Sequence, residues 1–153
     1  MLEIDQSIKM EQTAQSTVLA MADELYRSIL IPANVKREAF AYLKSVGKTH
    51  DLACYQLFAA GLFILLRPHL SWISKEGTYI KVDVEYTGQD AKIKGMVLRF
   101  IYRHGYQLAK HQLYFAQIGK SSMAHQVAWQ VQRGQREVDQ IIDWGEIRGV
   151  LEK

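Results

Sequence analysis

A single cysteine, two prolines and no uncharged run longer than fifteen residues set the first limits on this 153-residue chain. Lone Cys54 cannot close an internal disulfide, and no Cys/His spacing matches a zinc ligand set. The longest uncharged run, Leu52 to Leu66, falls short of the roughly twenty apolar residues that a membrane helix needs. Gln56 interrupts it and Arg67-Pro68 stops it, so a buried core helix is expected and no membrane partner. The start, Met1-Leu2-Glu3-Ile4-Asp5, lacks the basic-then-apolar order of a secretory signal, which makes the cytoplasm the expected compartment. Gly88, Gly95 and Gly105 are too scattered for a phosphate-cradling loop. At 48% hydrophobic and 23% charged the composition is that of a folded domain, and one domain over 1–153 is expected.

The most informative scarcity is of acid. Between Asp90 and Glu137 there is no Asp or Glu, while Lys92, Lys94, Arg99, Arg103, Lys110, Lys120, Arg133 and Arg136 all fall there, with His104, His111 and His125. The rest of the chain is slightly acidic. Phe100, Tyr102, Tyr106, Tyr114, Phe115 and Trp129 lie among these bases. Bases neutralise phosphates and aromatic rings stack on unpaired nucleobases, so the mixture suits a single-stranded nucleic acid.

Apolar spacing predicts helices over 4–30, over 33–46 and from Thr49 through Leu66, the last being apolar nearly all round and so central. Pro68 should kink or end that helix near Arg67, with His69 to Ile73 able to resume it for one more turn or two. Tyr79 to Tyr86 alternates apolar and charged residues, which predicts a strand with Ile80, Val82, Val84 and Tyr86 inward. For residues 92–102 a returning strand and a helix compete. The spacing of Ile93, Met96, Val97, Phe100 and Ile101 favours the helix, capped by Thr87 and Asp90. Further helices are expected over 106–118 and 123–142. The fold class expected is therefore mostly α, a single-domain helical bundle with a small β element near 79–86. The lone strand then lacks a partner in its own chain, which predicts a homo-oligomer or a subunit of a larger assembly.

Candidate chemistry is sparse. Arg99 to Tyr106 reads Arg-Phe-Ile-Tyr-Arg-His-Gly-Tyr, with His five and Tyr seven residues after the first Arg. This string is similar to the Arg-x4-His-x-Tyr signature of HEPN-type toxin ribonucleases, small helical proteins that are usually dimeric. The resemblance covers eight residues, and Phe100 stands where that family usually has a polar residue. It implies metal-free RNA cleavage, with Arg99 on phosphate charge, His104 moving a proton and Tyr106 beside a nucleotide. His104 and His111, two helical turns or roughly 10 Å apart, cannot share a metal. Asp83 and Glu85 share one side of the strand with Lys81 and read as its wet side. No metal or cofactor is expected. Cys54 reads as an inert core thiol. The favoured function is a nucleic-acid-associated accessory factor that binds through 92–136. The alternative is a helical assembly or adaptor protein, and a ribonuclease using Arg99 and His104 ranks below both.

Overall fold

The computed structural model describes residues 1–152. It is an α/β fold, 50% helical and 18% strand, built on a six-stranded mixed sheet, which corrects the expected helical bundle. Strands β1 (Leu2–Gln6), β2 (Thr17–Ala22) and β3 (Tyr26–Ile31) form an antiparallel meander where a helix over 4–30 was expected. Helices α1 (Ala33–Ser45), α2 (His50–Leu66) and α3 (Leu70–Glu76) follow, then β4 (Ile80–Asp83), α4 (Asp90–Arg103) and β5 (Leu113–Ala116). The chain ends with α5 (Met123–Gln132), β6 (Gln140–Ile141) and α6 (Trp144–Glu152). Sheet order is β5-β4-β1-β2-β3-β6, with β4 parallel to both β1 and β5 and β6 parallel to β3.

The sheet explains the misread N-terminal segment. All six residues of β2, Thr-Val-Leu-Ala-Met-Ala, are buried, because helices cover both of its faces. Val18 and Ala20 pack against Val127, Ala128 and Val131 of α5, while Leu19 and Met21 join the larger core under α2. A strand covered on both sides has no alternation to read. The central position of α2 is as expected. It touches α1, α4, α6, β2 and β3, and its apolar run is buried. It also comes close to the sheet at Gly61, where an added Cβ would sit 2.7 Å from the Leu19 Cδ1.

Other boundaries follow the local chemistry. Thr49 caps α2 by accepting from the Leu52 N–H, and α2 ends at Leu66, with a 3-10 turn through Pro68. Residues 90–103 are helical, as the spacing predicted, but Gln89 is the cap residue and no Thr87–Asp90 capping box forms. Residues 106–118 are not a helix. They hold a 3-10 turn and β5, whose pairing with β4 overrides the local pattern. The helix expected over 123–142 stops at Gln132, just before Gly134 at φ 74°, and Ser122 caps its start. The strand near 79–86 is present as β4, and its partners are β1 and β5 of the same chain. The need for a second chain to pair it is thereby met internally.

Candidate metal centre

Two short strings of the same pattern lie side by side in the sheet. Leu2-Glu3-Ile4-Asp5 and Ile80-Lys81-Val82-Asp83 pair in parallel, Leu2 with Ile80, Glu3 with Lys81, Ile4 with Val82. Leu2, Ile4, Ile80 and Val82 enter the large core. The charged residues therefore face the α5 side. One step along, Glu3 and Lys81 form an ion pair at 3.6 Å. The next step sets Asp5 beside Asp83, carboxylate beside carboxylate. Glu85, two residues past the end of β4, adds a third, and one oxygen from each lies within 4.8 Å of the others.

Three neighbours hold this trio. The His125 Nδ1 lies 2.7 Å from the Asp5 Oδ2, and the Gln6 N–H donates to the Asp5 Oδ1 at 2.8 Å. The Ile118 N–H, in the loop after β5, donates to the Asp83 Oδ1 at 2.7 Å. Burial first, then the neighbouring Asp83 and Asp5, pushes the Glu85 carboxyl up to about 9. Burial also raises Asp5, opposed by its bond to His125. At neutral pH the trio therefore shares at least one proton, as carboxylates with too little positive charge between them must.

The position in the topology is as telling as the charge. β1 leads toward β2 on one side, and β4 leads through α4 to β5 on the other. The carboxyl ends of β1 and β4 thus flank a point where the chain diverges, the place where ligands bind in open α/β sheets. A cleft of about 400 Å³ opens there, lined by the trio and by Lys120, His125 and Trp129. Carboxylate oxygens suit hard divalent cations. Two oxygens sharing one Ca²⁺ lie up to about 5 Å apart and two sharing Mg²⁺ about 4.2 Å, so the spacing fits such an ion after small side-chain rotations.

The residues singled out in the sequence disperse across the fold. Lys120 lines the cleft, and the Arg133 guanidinium lies 5.3 Å from the ring centre of Trp129, which lines it too. Lys92, Lys94, Arg99 and Arg103 sit on α4, which packs on α2. Lys110 opens the 3-10 turn before β5, and Arg136 lies over the Tyr26 ring. Arg99 is exposed at mid-helix, while His104 ends α4 with its ring against Phe63 at 4.8 Å and its Nδ1 2.9 Å from the Phe100 O. Five residues on a helix are about 140° apart, which separates Arg99 and His104 around α4. Tyr106 packs on Phe63 as well. His111 stacks edgewise on Tyr79.

Asp5 is the one member of the trio absent from the candidates that the sequence supplies, because the helix expected over 4–30 contains it. Its signal was present. Leu2-Glu3-Ile4-Asp5 alternates in the same way as Ile80-Lys81-Val82-Asp83, which was read as a strand. Comparison with known protein families, with curated proteins and with solved structures finds no match to this chain.

Proposed function

We propose that this protein is a divalent-metal-dependent phosphodiester hydrolase acting on nucleic acid, in the cytoplasm. The observation that carries the reading is the Asp5–Asp83–Glu85 trio, three carboxylates held together at the diverging carboxyl ends of two parallel strands with no Lys or Arg bonded to any of them among the described residues. Such a set costs stability unless a cation joins it. A bound Mg²⁺ or Mn²⁺ would supply charge neutralisation for a phosphoryl group and a lowered pKa for water. Asp5, Asp83 and Glu85 would hold it. His125 fixes the Asp5 carboxylate, and the Ile118 N–H fixes that of Asp83. Lys120 at the cleft supplies the positive charge that draws a polyanion. The acid-free stretch supports nucleic acid as the polyanion, because its Lys120 and Trp129 line this cleft and its Arg133 lies over the Trp129 ring.

The test pairs metal binding with strand cleavage. Titration calorimetry should show Mn²⁺ uptake by the wild type, and Mg²⁺ or Mn²⁺ should support cleavage of labelled DNA or RNA that EDTA stops. Asp83→Asn keeps an oxygen to accept the Ile118 N–H, so it should fold, yet lose at least about a hundredfold in cleavage. Cleavage that persists in EDTA, or none with any divalent cation, would overturn the proposal.

A further inference from the structure

Trp129 is out of place as a packing residue. The larger core takes in Trp144 at its margin, and the smaller one is formed by Val18, Ala20, Val127, Ala128 and Val131. Trp129 packs against neither, although it follows Ala128 directly. It is half-buried in the wall of the carboxylate cleft. Its ring contacts are polar: His125 one turn earlier at 6.4 Å between centroids, and the Arg133 guanidinium one turn later at 5.3 Å. An indole left outside both cores, beside an opening, keeps apolar surface that water solvates poorly.

The spacing gives this surface a direction. His125, Trp129 and Arg133 recur every four residues and so form one stripe of α5, about two turns or 12 Å long in all and ending at Arg133, the C-cap of the helix. One end of the stripe is bonded to Asp5, and the other carries a cation. Lys120, in the loop before α5, lines the same cleft. A strand with a phosphate at the carboxylates would therefore meet an aromatic ring next and a guanidinium after that.

We propose that Trp129 is a stacking platform for an unpaired base next to the scissile phosphate, with Arg133 on the phosphate beyond it, so that the substrate is single-stranded or locally opened nucleic acid. A base inside a continuous duplex has both its faces covered by neighbours and offers none to an indole. An unpaired base does, whatever its identity, which makes the selection one of strandedness and not of sequence. The Arg133 guanidinium braces the indole from one side and keeps its own charge exposed.

This inference deepens the proposed hydrolase and rests on the same cleft, and the experiment separates the two. Binding of a labelled oligothymidylate is followed by anisotropy in EDTA at low salt, without turnover. Trp129→Ala should weaken binding about tenfold, and Trp129→Phe should recover most of it. An abasic strand of equal length should bind wild type and Trp129→Ala alike, and a blunt hairpin duplex should bind the wild type at least about tenfold less tightly than the oligothymidylate. Equal binding of the strand by wild type and Trp129→Ala, or duplex binding as tight as single-strand binding, would overturn the platform. Mn²⁺ uptake measured on Trp129→Ala should equal that of the wild type. Absence of uptake by both would sink the hydrolase while leaving the EDTA binding result to judge the platform.

Discussion

The chain buries charge in two places, and it treats them in opposite ways. Lys36 on α1 is fully enclosed, and its Nζ meets four oxygens: Lys9 O at 3.3 Å, Gln12 O at 2.8 Å, Gln15 O at 2.8 Å and Thr17 Oγ1 at 2.9 Å. The loop between β1 and β2 is thus wrapped around one ammonium group. Burial lowers the Lys36 pKa to about 8, which still leaves it charged at neutral pH. The carboxylate trio begins at Asp5, just before the same loop, and its groups face each other at the cleft with one imidazole, that of His125, bonded to Asp5. Lys36 is satisfied within the chain. The trio has no Lys or Arg bonded to it among the described residues, and on the proposed reading that difference separates a charge kept for the fold from a set kept for a ligand.

Removing each charge should therefore change stability in opposite directions. In Lys36→Met the Lys9 and Gln12 carbonyls keep the Gln12 and Gln15 N–H groups, but the Gln15 carbonyl and the Thr17 Oγ1 lose their donor, and each buried unsatisfied acceptor costs about 1–3 kcal/mol. The expected loss is about 3 kcal/mol or more, seen as a lower urea midpoint, with the loop over residues 7–16 exchanging its amide protons fastest. Near-wild-type stability of Lys36→Met would erase the contrast.

Glu85→Gln should do the reverse in metal-free protein. Burial and the neighbouring carboxylates push the folded carboxyl up to about 9, above its usual 4.5. A folded value above the unfolded one stabilises fully below pH 4.5, and that contribution is lost as pH rises to 9. The metal-free Tm should accordingly fall between pH 5 and pH 9, and Glu85→Gln should flatten this decline. At pH 8 the variant should gain about 1 kcal/mol, or roughly 3 °C in Tm at this chain length. The same variant should bind Mn²⁺ at least about tenfold more weakly, and wild-type Mn²⁺ affinity should rise with pH as the protons leave. A metal-free Tm that climbs from pH 5 to pH 9 would contradict the trio's shared proton.

How far the sequence could carry these conclusions depends on what each element faces. The helices α1, α2 and α4 were legible because their signals are local: one-sided apolar spacing in α1 and α4, and in α2 the Thr49 cap before a long apolar run. β4 was legible because Lys81 and Asp83 are only half-buried on one face while Ile80 and Val82 are buried on the other. β2 and β5 were not. The first is covered on both faces, and the second is four residues that are strand only because β4 lies alongside. The site failed for a different reason. Asp83 and Glu85 were noticed, but their chemistry depends on Asp5, seventy-eight positions away in the chain, and on a parallel register that no local pattern encodes. The acid-free stretch was visible by count alone, yet the fold divides it between α4 on one side of the sheet and α5 on the other.

The smallest expected effect sharpens the comparison most finely, because it changes one step of the same strand pair. Glu3 and Lys81 occupy the position before Asp5 and Asp83, and there the chain supplies its own cation. Their pair spans 3.6 Å, with side chains 30% and 25% exposed, so its contribution to stability should be 1 kcal/mol or less by the usual measure of accessible pairs. Lys81→Met should thus leave the urea midpoint nearly unchanged. Its effect on the metal should still be visible. Same-side neighbours on a strand are about 7 Å apart, and a unit charge at that distance interacts with a divalent ion by about 1 kcal/mol in water. Loss of the Lys81 cation should raise Mn²⁺ affinity by about fivefold at low salt. That gain should fade near 0.15 M salt, where screening acts within about 8 Å. If Lys81→Met instead weakened Mn²⁺ binding, the ammonium would be holding the trio in place, and the two steps of the strand pair would form one site instead of a paired charge beside an open one.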